Sequence, residues 1–585
     1  IIAIVFLLCV YLFQYEREKG LYSLVRCTKF GRFKTIISKF MLLFVLSAVV
    51  SILFIFCNFI INTFLYGSTD LSVNIQSISE FRNCTLTVTA GQFLILFAFA
   101  KIMGTFVISS FLALVFIIFS SSATMYLTGL VIIGAEYLLY TLIVQNSFLN
   151  LLKYINIFYI LDGGEFFGSY LNLNIFSNAV ASIPIAFAVF CTVFLLCTVF
   201  SCILFCKRNQ QKTAGIFSRL LEKFKSRFFT LNGSTGVFKG EVFKFTIQNK
   251  MAVMIVLFVL FAIISSFGTV RYPYSENSDA DYKAYMEYLE GDITSEKENY
   301  ILKQQNYFNN LQQRMGEIAE NSELSENAKQ AMSKSIENIL NSKGIAFERV
   351  IEQYNRLLEL DKKGIDAKFI DENIYKSFVS SKTREWNDFA LLCLVLVIGV
   401  PYVFSPEYKN GMINLIRTTE NGKTKLFFGK IVVECIYLLI AFTVLYVPYF
   451  VRFINTYGAN SLNTPLVCIF ENVQETSFSV INAVVVNLIC YFLLATAVTF
   501  VITAVSIFTR SSMFTMVVST VLVILPLLAL YSIENVRIGY WVVNSHIIAI
   551  VMTCLLSILI AIVTLEISKL KFTETRIWRR INAKA

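Results

Sequence analysis

Histidine is all but missing. His546 is the single one in 585 residues, which excludes a metal centre built on several imidazoles. It lies near the outer end of the last apolar run and reads as a satisfied interfacial side chain. Charge is scarce as well: Asp, Glu, Lys and Arg make up 15% of the chain, against roughly 25% in a soluble domain. The 13 cysteines include no C-x-x-C pair and sit mostly in apolar stretches, where they act as small hydrophobes. Cys84 and Cys468 fall in equivalent loops and could pair, although free thiols are the plainer reading. A complete phosphate-binding loop is also wanting. ENGKTK at 420–425 ends like G-x-x-x-x-G-K-[ST], but the earlier glycine would fall at Arg417. No catalytic residue, metal site or ATP site is therefore expected in this chain.

What the chain has instead is apolar surface: 56% of its residues are hydrophobic and its mean hydropathy is +0.66. Runs approaching or exceeding the ~20 residues needed to cross a bilayer occur at 41–66, 92–118, 124–146, 178–206, 250–269, 387–404, 429–451, 480–507, 512–532 and 543–567. A shorter run at 1–13 has no initiator Met, basic leader or small-residue cleavage site, so it reads as a helix cut in half rather than a signal peptide. An all-α polytopic membrane protein is expected. The 56 Phe and 28 Tyr fit compositional bias and lipid contact better than an aromatic cage.

Lys and Arg collect in 14–40, 207–249, 405–428 and 568–585, while the loops 67–91, 147–177, 452–479 and 533–542 hold one each. The positive-inside rule puts the first set, and with it the C-terminus, in the cytoplasm. The net charge of +11 is then an orientation signal with some contact to anionic headgroups. No basic patch carries the interleaved aromatics of a nucleic-acid reader.

Residues 270–386 depart from this pattern, with 21 acidic against 16 basic side chains. Ile301, Phe308 and Met315 recur at seven, with Leu311 and Ile318 on the same face. Gly344 breaks the period, which resumes at Phe347, Val350, Ile351, Tyr354, Leu357 and Leu358. A self-packed helical hairpin outside the membrane is expected, and a lid or partner-docking role is the alternative.

The chain also repeats itself. A constant shift of 391 aligns Glu16 with Glu407, Gly20 with Gly411, Leu24 with Leu415 and Arg26 with Arg417. It continues with Thr28 on Thr419, Gly31 on Gly422, Lys34 on Lys425 and Lys39 on Lys430. That makes eight identities in 24 positions. Upstream, Tyr11 and Phe13 meet Tyr402 and Phe404; downstream, Tyr66-Gly67 meets Tyr457-Gly458. Two homologous halves in parallel are implied. The first begins inside the counterpart of the helix that ends near Phe404, so an N-terminally truncated chain is expected: about 11 spanning helices, against twelve, six per half, in a complete one.

The segment E-x-E-x-G…L…T…R…K, between the second and third helices of a six-helix unit, resembles the coupling segment of type-2 ABC transporter permeases. In the first half its residues are Glu16, Glu18, Gly20, Leu24, Thr28, Arg32 and Lys39. In the second they are Glu407, Gly411, Leu415, Thr419, Lys423 and Lys430, with Lys409 in place of the second Glu. The stretch 151–176 resembles the re-entrant or external segment that such permeases carry before their last helix. The resemblance implies separate cytosolic ABC ATPase subunits, two of them, which supply ATP and Mg; it also implies export across a bacterial plasma membrane. The segments themselves read as amphipathic helices in the interface, with Lys and Arg toward headgroups and Glu16 and Glu18 at the helix start, where the dipole favours them.

The organisation expected is 1–206 as the first permease half, 207–249 as a basic cytoplasmic linker and 250–269 as the first helix of the second half. The external helical domain follows at 270–386, and the rest of the second half at 387–585. Lys101 and Glu136, each roughly 15 Å deep at 1.5 Å per residue, suggest an intramembrane ion pair, either a clamp or part of a path. Few other charges enter the helices, so an apolar or amphipathic cargo fits better than a small ion. A signalling or mechanical coupler that transports nothing is the first rival. An ion-coupled secondary transporter is the second, and would want inverted repeats and more intramembrane carboxylates.

Overall fold

The computed structural model describes residues 1–585 apart from 19–20, 68–69, 83, 85, 119–121, 144–149, 169–171, 176–177, 208–235, 250, 270–271, 274–277, 321–324, 410, 471–472, 474–477, 532, 534 and 574–585. Much of the basic clusters used to orient the chain, at 208–235 and 574–585, lies outside the described residues, as does Gly20.

Among the described residues, seven helices are long and apolar enough to cross a membrane: Phe33–Tyr66, Ala90–Ile118, Ser182–Lys207, Glu372–Tyr408, Thr424–Tyr457, Val480–Thr509 and Ile547–Thr573. Val237–Gln248 and Met251–Ile263 add an eighth if that bent pair is one span. The chain is an α-helical, membrane-embedded protein. The count is lower than the apolar runs suggest, for local reasons. The opening run forms a 17-residue helix, Ile2–Glu18. The run at 124–146 forms Ser122–Leu142, bordered on both sides by residues outside the description. The run at 512–532 is divided into Ser512–Ser519, a π-helical turn at Thr520–Ile524, and Leu525–Leu530 with a proline in its first turn; proline lacks the N–H a helix interior needs.

The chain forms two compact units: Ile1–Thr235 with Lys244–Met254, and Gly236–Phe243 with Ile255–Ala585. In the first, Ala90–Ile118 is central and packs against Ile2–Glu18, Phe33–Tyr66 and Ser182–Lys207. Its buried face carries Ala100, Gly104, Thr105, Ser109, Ser110 and Ala113, small residues that let apolar helices approach closely. Thr105 meets Ser51 across one such contact at 3.1 Å.

In the second unit, Val480–Thr509 packs along Ile547–Thr573 and against Lys382–Gly399. Lys382–Gly399 also packs on Thr424–Tyr457. There Tyr437 donates to the Val395 carbonyl at 2.8 Å, and a Cβ at Gly399 would fall 2.3 Å from the Tyr437 ring. Only glycine permits that approach.

The amphipathic part of this unit contains the helices Asp279–Leu289, Ser295–Glu320, Glu326–Ile339, Ile345–Lys362 and Glu372–Val379, plus a two-residue strand pair, Gly291–Asp292 with Lys368–Phe369. Ile301, Phe308, Leu311, Phe347, Val350 and Leu357 are buried together, as the seven-residue period requires. Gly344 does not break the pattern. It ends a π-helical turn, Leu340–Gly344, with φ −65°, and the helix runs on into Ile345–Lys362. Nor does this part pack only on itself. Val467 and Cys468, from the loop after Thr424–Tyr457, complete its core, and Arg356 donates to the Cys468 carbonyl at 2.9 Å.

Candidate functional site: two lysine–carboxylate clasps

In the first unit, Ile2–Glu18 ends, the short helix Tyr22–Cys27 follows, and a turn leads into Phe33–Tyr66. Thr28 closes the turn by donating to the Val25 carbonyl at 2.7 Å, and the Gly31 amide donates to the Thr28 carbonyl at 3.1 Å. A Cβ on Gly31 would lie 1.5 Å from the Val25 carbonyl oxygen, so close backbone approach demands glycine there. Lys39, in the second turn of Phe33–Tyr66, reaches back across this turn. Its ammonium sits 2.9 Å from Glu16 Oε2 and 3.0 Å from the Leu12 carbonyl.

The second unit uses the same devices 391 residues later. Gly411, at φ +68°, caps the helix Met412–Thr418; Thr419 donates to the Ile416 carbonyl at 2.7 Å. A Cβ on Gly422 would lie 1.6 Å from the Ile416 oxygen. Lys423 precedes Thr424–Tyr457 with φ −107° and ψ −98°, where Arg32 precedes Phe33–Tyr66 with −110° and −94°. Both helices are 34 residues long and end on Gly458 and Gly67, at φ +82° and +87°. Lys430 sits 3.0 Å from Glu407 and 2.7 Å from the Val403 carbonyl. Leu24 and Leu415 are exposed in the two short helices.

In both places, therefore, the lysine satisfies a carbonyl and a carboxylate near the C-terminal end of the preceding helix. This corrects the expected position of the acids. Glu16 and Glu18 are not at a helix start; they belong to the end of Ile2–Glu18, as Glu407 belongs to the end of Pro401–Lys409, where the dipole disfavours negative charge. An ammonium there offsets both. The expected interfacial helix is also short, six residues in one segment and seven in the other. Lys34 lies 4.1 Å over the Phe30 ring. The side chains of Glu18 and Lys409 lie outside the described residues.

The clasps differ in burial. The side chains of Lys39 and Glu16 are 7% and 21% exposed, those of Lys430 and Glu407 1% and 6%. Lys430 also meets Glu241 at 2.6 Å. The sequence reading missed Glu241, a lone acid in VFKGEVFKF on the helix Val237–Phe243; its only signal was an acid amid aromatic and basic neighbours.

Lys101 and Glu136 do not meet. The Lys101 ammonium donates to the Leu161 carbonyl and lies 4.8 Å over the Phe97 ring. Glu136 accepts from the Ile157 amide, and its own carbonyl accepts from Asn156 Nδ2 at 2.7 Å. The short helix Ile157–Leu161 packs on both helices that carry them, Ala90–Ile118 and Ser122–Leu142, and Asn150–Tyr154 packs on the second, so each charge is satisfied by that segment. Lys101 also borders a cavity of about 410 Å³, with Asn58, Asn62 and Phe97.

Cys84 and Cys468 are free and buried. No protein-family model, curated protein or solved structure matches this chain. Among the described residues no three His, Cys, Asp or Glu side chains group as metal ligands.

Further acids missed by the sequence reading line the second unit's spans. Glu434, fully buried, accepts from Thr503 at 2.7 Å. Glu385 accepts from the Tyr491 hydroxyl at 2.9 Å and the Gly539 amide at 3.1 Å. Glu385 and Asp388 flank the boundary expected at 386/387, where the charged domain sequence passes into an apolar run.

Proposed function

We propose that this chain is the membrane permease of a type-2 ABC exporter, two parallel halves in one polypeptide, docking separate cytosolic ATPase subunits at the two clasped segments. The observation that carries this reading is the recurrence, at one offset of 391, of the same turn, glycine contact and lysine–glutamate–carbonyl clasp. A surface helix that merely obeyed the positive-inside rule would not need to reproduce a buried contact. In this reading each clasp ties the end of one span to the start of the next, so a push on the short helix between them moves both. The first half would be the six-helix unit that contains Ile2–Glu18, and the C-terminus would face the cytoplasm of a bacterial cell. ATP and Mg belong to the partner, and the cargo is apolar or amphipathic. Differential binding of that cargo between two states would give direction to transport.

A second reading is favoured by the anchoring of the Asp279–Val379 region on the 459–470 loop. Arg356 holds the Cys468 carbonyl, and Ser461 donates to Glu290 at 2.8 Å. A rigid linkage of that kind suits a mechanical coupler that transports nothing. The parallel direction of the repeat speaks against an ion-coupled secondary transporter.

The test is affinity purification of the chain from its native membrane. A P-loop ATPase without membrane helices should co-purify, and its ATP turnover should fall when Glu16→Ala or Glu407→Ala is introduced, with membrane insertion unchanged. Absence of such an ATPase, or parental turnover in both variants, would overturn the proposal; turnover without movement of any amphipathic cargo would favour the coupler.

A further inference from the structure

A second polar site lies in the second unit, next to the helix Glu372–Val379. A cavity of about 60 Å³ opens among Phe378, Arg384, Asp388, Tyr446, Tyr449 and Asn487. Asn487 is 8% exposed, and its Nδ2 donates to the Val379 carbonyl at 3.1 Å. That bond fixes the amide so that Oδ1 is left buried and unpartnered among the described residues. The Tyr446 hydroxyl is likewise buried without a partner. The half-buried Asp388 carboxylate lines the same cavity, with Arg384 and Glu385 as the charges acting on it.

The charges around it are already engaged. Arg384, one helical turn before Asp388 and within electrostatic reach of it, donates to the Tyr449 hydroxyl and, at 2.6 Å, to the Phe378 carbonyl. Its guanidinium lies 4.4 Å over the Tyr449 ring. Glu385 Oε2 accepts from Tyr491 and Gly539, and its Oε1, without a hydrogen bond among the described residues, lies 4.0 Å from the Arg537 guanidinium.

Buried acceptors without donors are costly; here two, Asn487 Oδ1 and the Tyr446 hydroxyl oxygen, share one small space with the half-buried Asp388 carboxylate, beside aromatic rings whose faces attract cations. The complementary group is positive, compact and carries several N–H donors. A carboxylate or phosphate would meet acceptors of its own kind. A quaternary ammonium offers no donor and is too large for about 60 Å³. We infer that this cavity binds a primary ammonium group, with Asp388 as its counter-charge and Asn487 Oδ1 and the Tyr446 hydroxyl as acceptors. Joined to the proposed export function, on which only this last step rests, the site makes the cargo an amine-bearing amphipath.

The test uses the purified full chain in lipid nanodiscs without any ATPase, so its outcome is independent of the transport proposal. Methylammonium is titrated and its binding followed by saturation-transfer NMR, with tetramethylammonium and sodium as competitors. Saturable methylammonium binding is expected, with no displacement by an equal concentration of either competitor. Asp388→Asn should weaken it at least tenfold and Tyr446→Phe about threefold. Tyr446→Phe removes a hydroxyl that bonds to no described residue, so it decides the matter if Asp388→Asn fails to fold. No saturable binding by the parent chain, parental affinity in Tyr446→Phe and Asp388→Asn, or displacement by equimolar sodium would each overturn the assignment.

Discussion

Replacing Lys430 with Met should be among the most damaging single changes at either clasp, and far more so than the same change at Lys39. Lys430 is 1% exposed and stands between Glu241 at 2.6 Å, Glu407 at 3.0 Å and the Val403 carbonyl at 2.7 Å. Removing one partner of a buried pair costs about 3–5 kcal/mol, because the other charge stays buried without compensation. Here two carboxylates and a carbonyl are left facing one another, which puts the loss at the top of that range. Lys39→Met leaves Glu16 and the Leu12 carbonyl without that ammonium, but the Glu16 side chain is 21% exposed and can be rehydrated, so a loss of about 1–2 kcal/mol is expected. The assay is thermal denaturation of the full chain in one detergent at one scan rate, read as midpoints because a chain of this size need not melt in two states. Lys430→Met should lower the midpoint at least twice as far as Lys39→Met. Adding Glu241→Gln and Glu407→Gln to Lys430→Met should recover at least half of the loss. Equal shifts for the two lysines, or no recovery in the triple variant, would refute the reasoning.

Three other outcomes follow from particular contacts. Deleting 275–380 through a Gly/Ser linker should leave the chain inserted, as carbonate extraction reports, but Cys468, fully buried under that region in the parent, should become open to a membrane-impermeant maleimide; continued protection would show that the loop is covered by something else. Lys101→Met and Glu136→Gln should have additive effects on thermal stability, since each charge binds the 156–162 segment separately, and a coupling energy above about 0.5 kcal/mol would show that they interact after all. Burial pushes the Asp371 carboxyl up to about 6 from its ordinary 3.8, against the hydrogen bonds it accepts from Ile374, Tyr272 and Asn373. The folded chain therefore holds that proton more tightly than the unfolded one, so the penalty of ionising it is fully present above pH 6 and is relieved as pH falls toward 4. Relative to Asp371→Asn, the parent should gain about 3 kcal/mol over that window, two pH units at 1.36 kcal/mol each, and parallel pH profiles would contradict it.

The seven-residue phase from Ile301 to Leu311, the glycines at 31 and 422, and the offset that joins Lys39 to Lys430 were all legible in the residues. Each is a local matter: a period, a turn or a repeated string. The partners of those lysines were not legible. A shared motif puts Lys39 and Lys430 in one string with their glutamates but says nothing of contact, and Glu16 and Glu18 close a helix where the string suggests that they open one. A side chain 23 positions away across a turn is brought home by the packing of two helices, and no spacing rule encodes that angle.

Apolar runs fixed that the chain lives in a membrane, because a bilayer accepts little else than helices with their backbone bonds closed. Charge in the loops and the 391-residue shift set an orientation and an internal symmetry to look for. Tertiary structure alone decided who pairs with whom. It gave Lys430 a third partner, Glu241, from 189 residues upstream. It put the 150–168 segment between Lys101 and Glu136, and it gathered Asp388, Tyr446 and Asn487 around one cavity. Depth along a helix is a one-dimensional quantity that sequence carries. Which face of that helix meets which neighbour depends on the mutual fit of many side chains, and that is settled only when the helices pack.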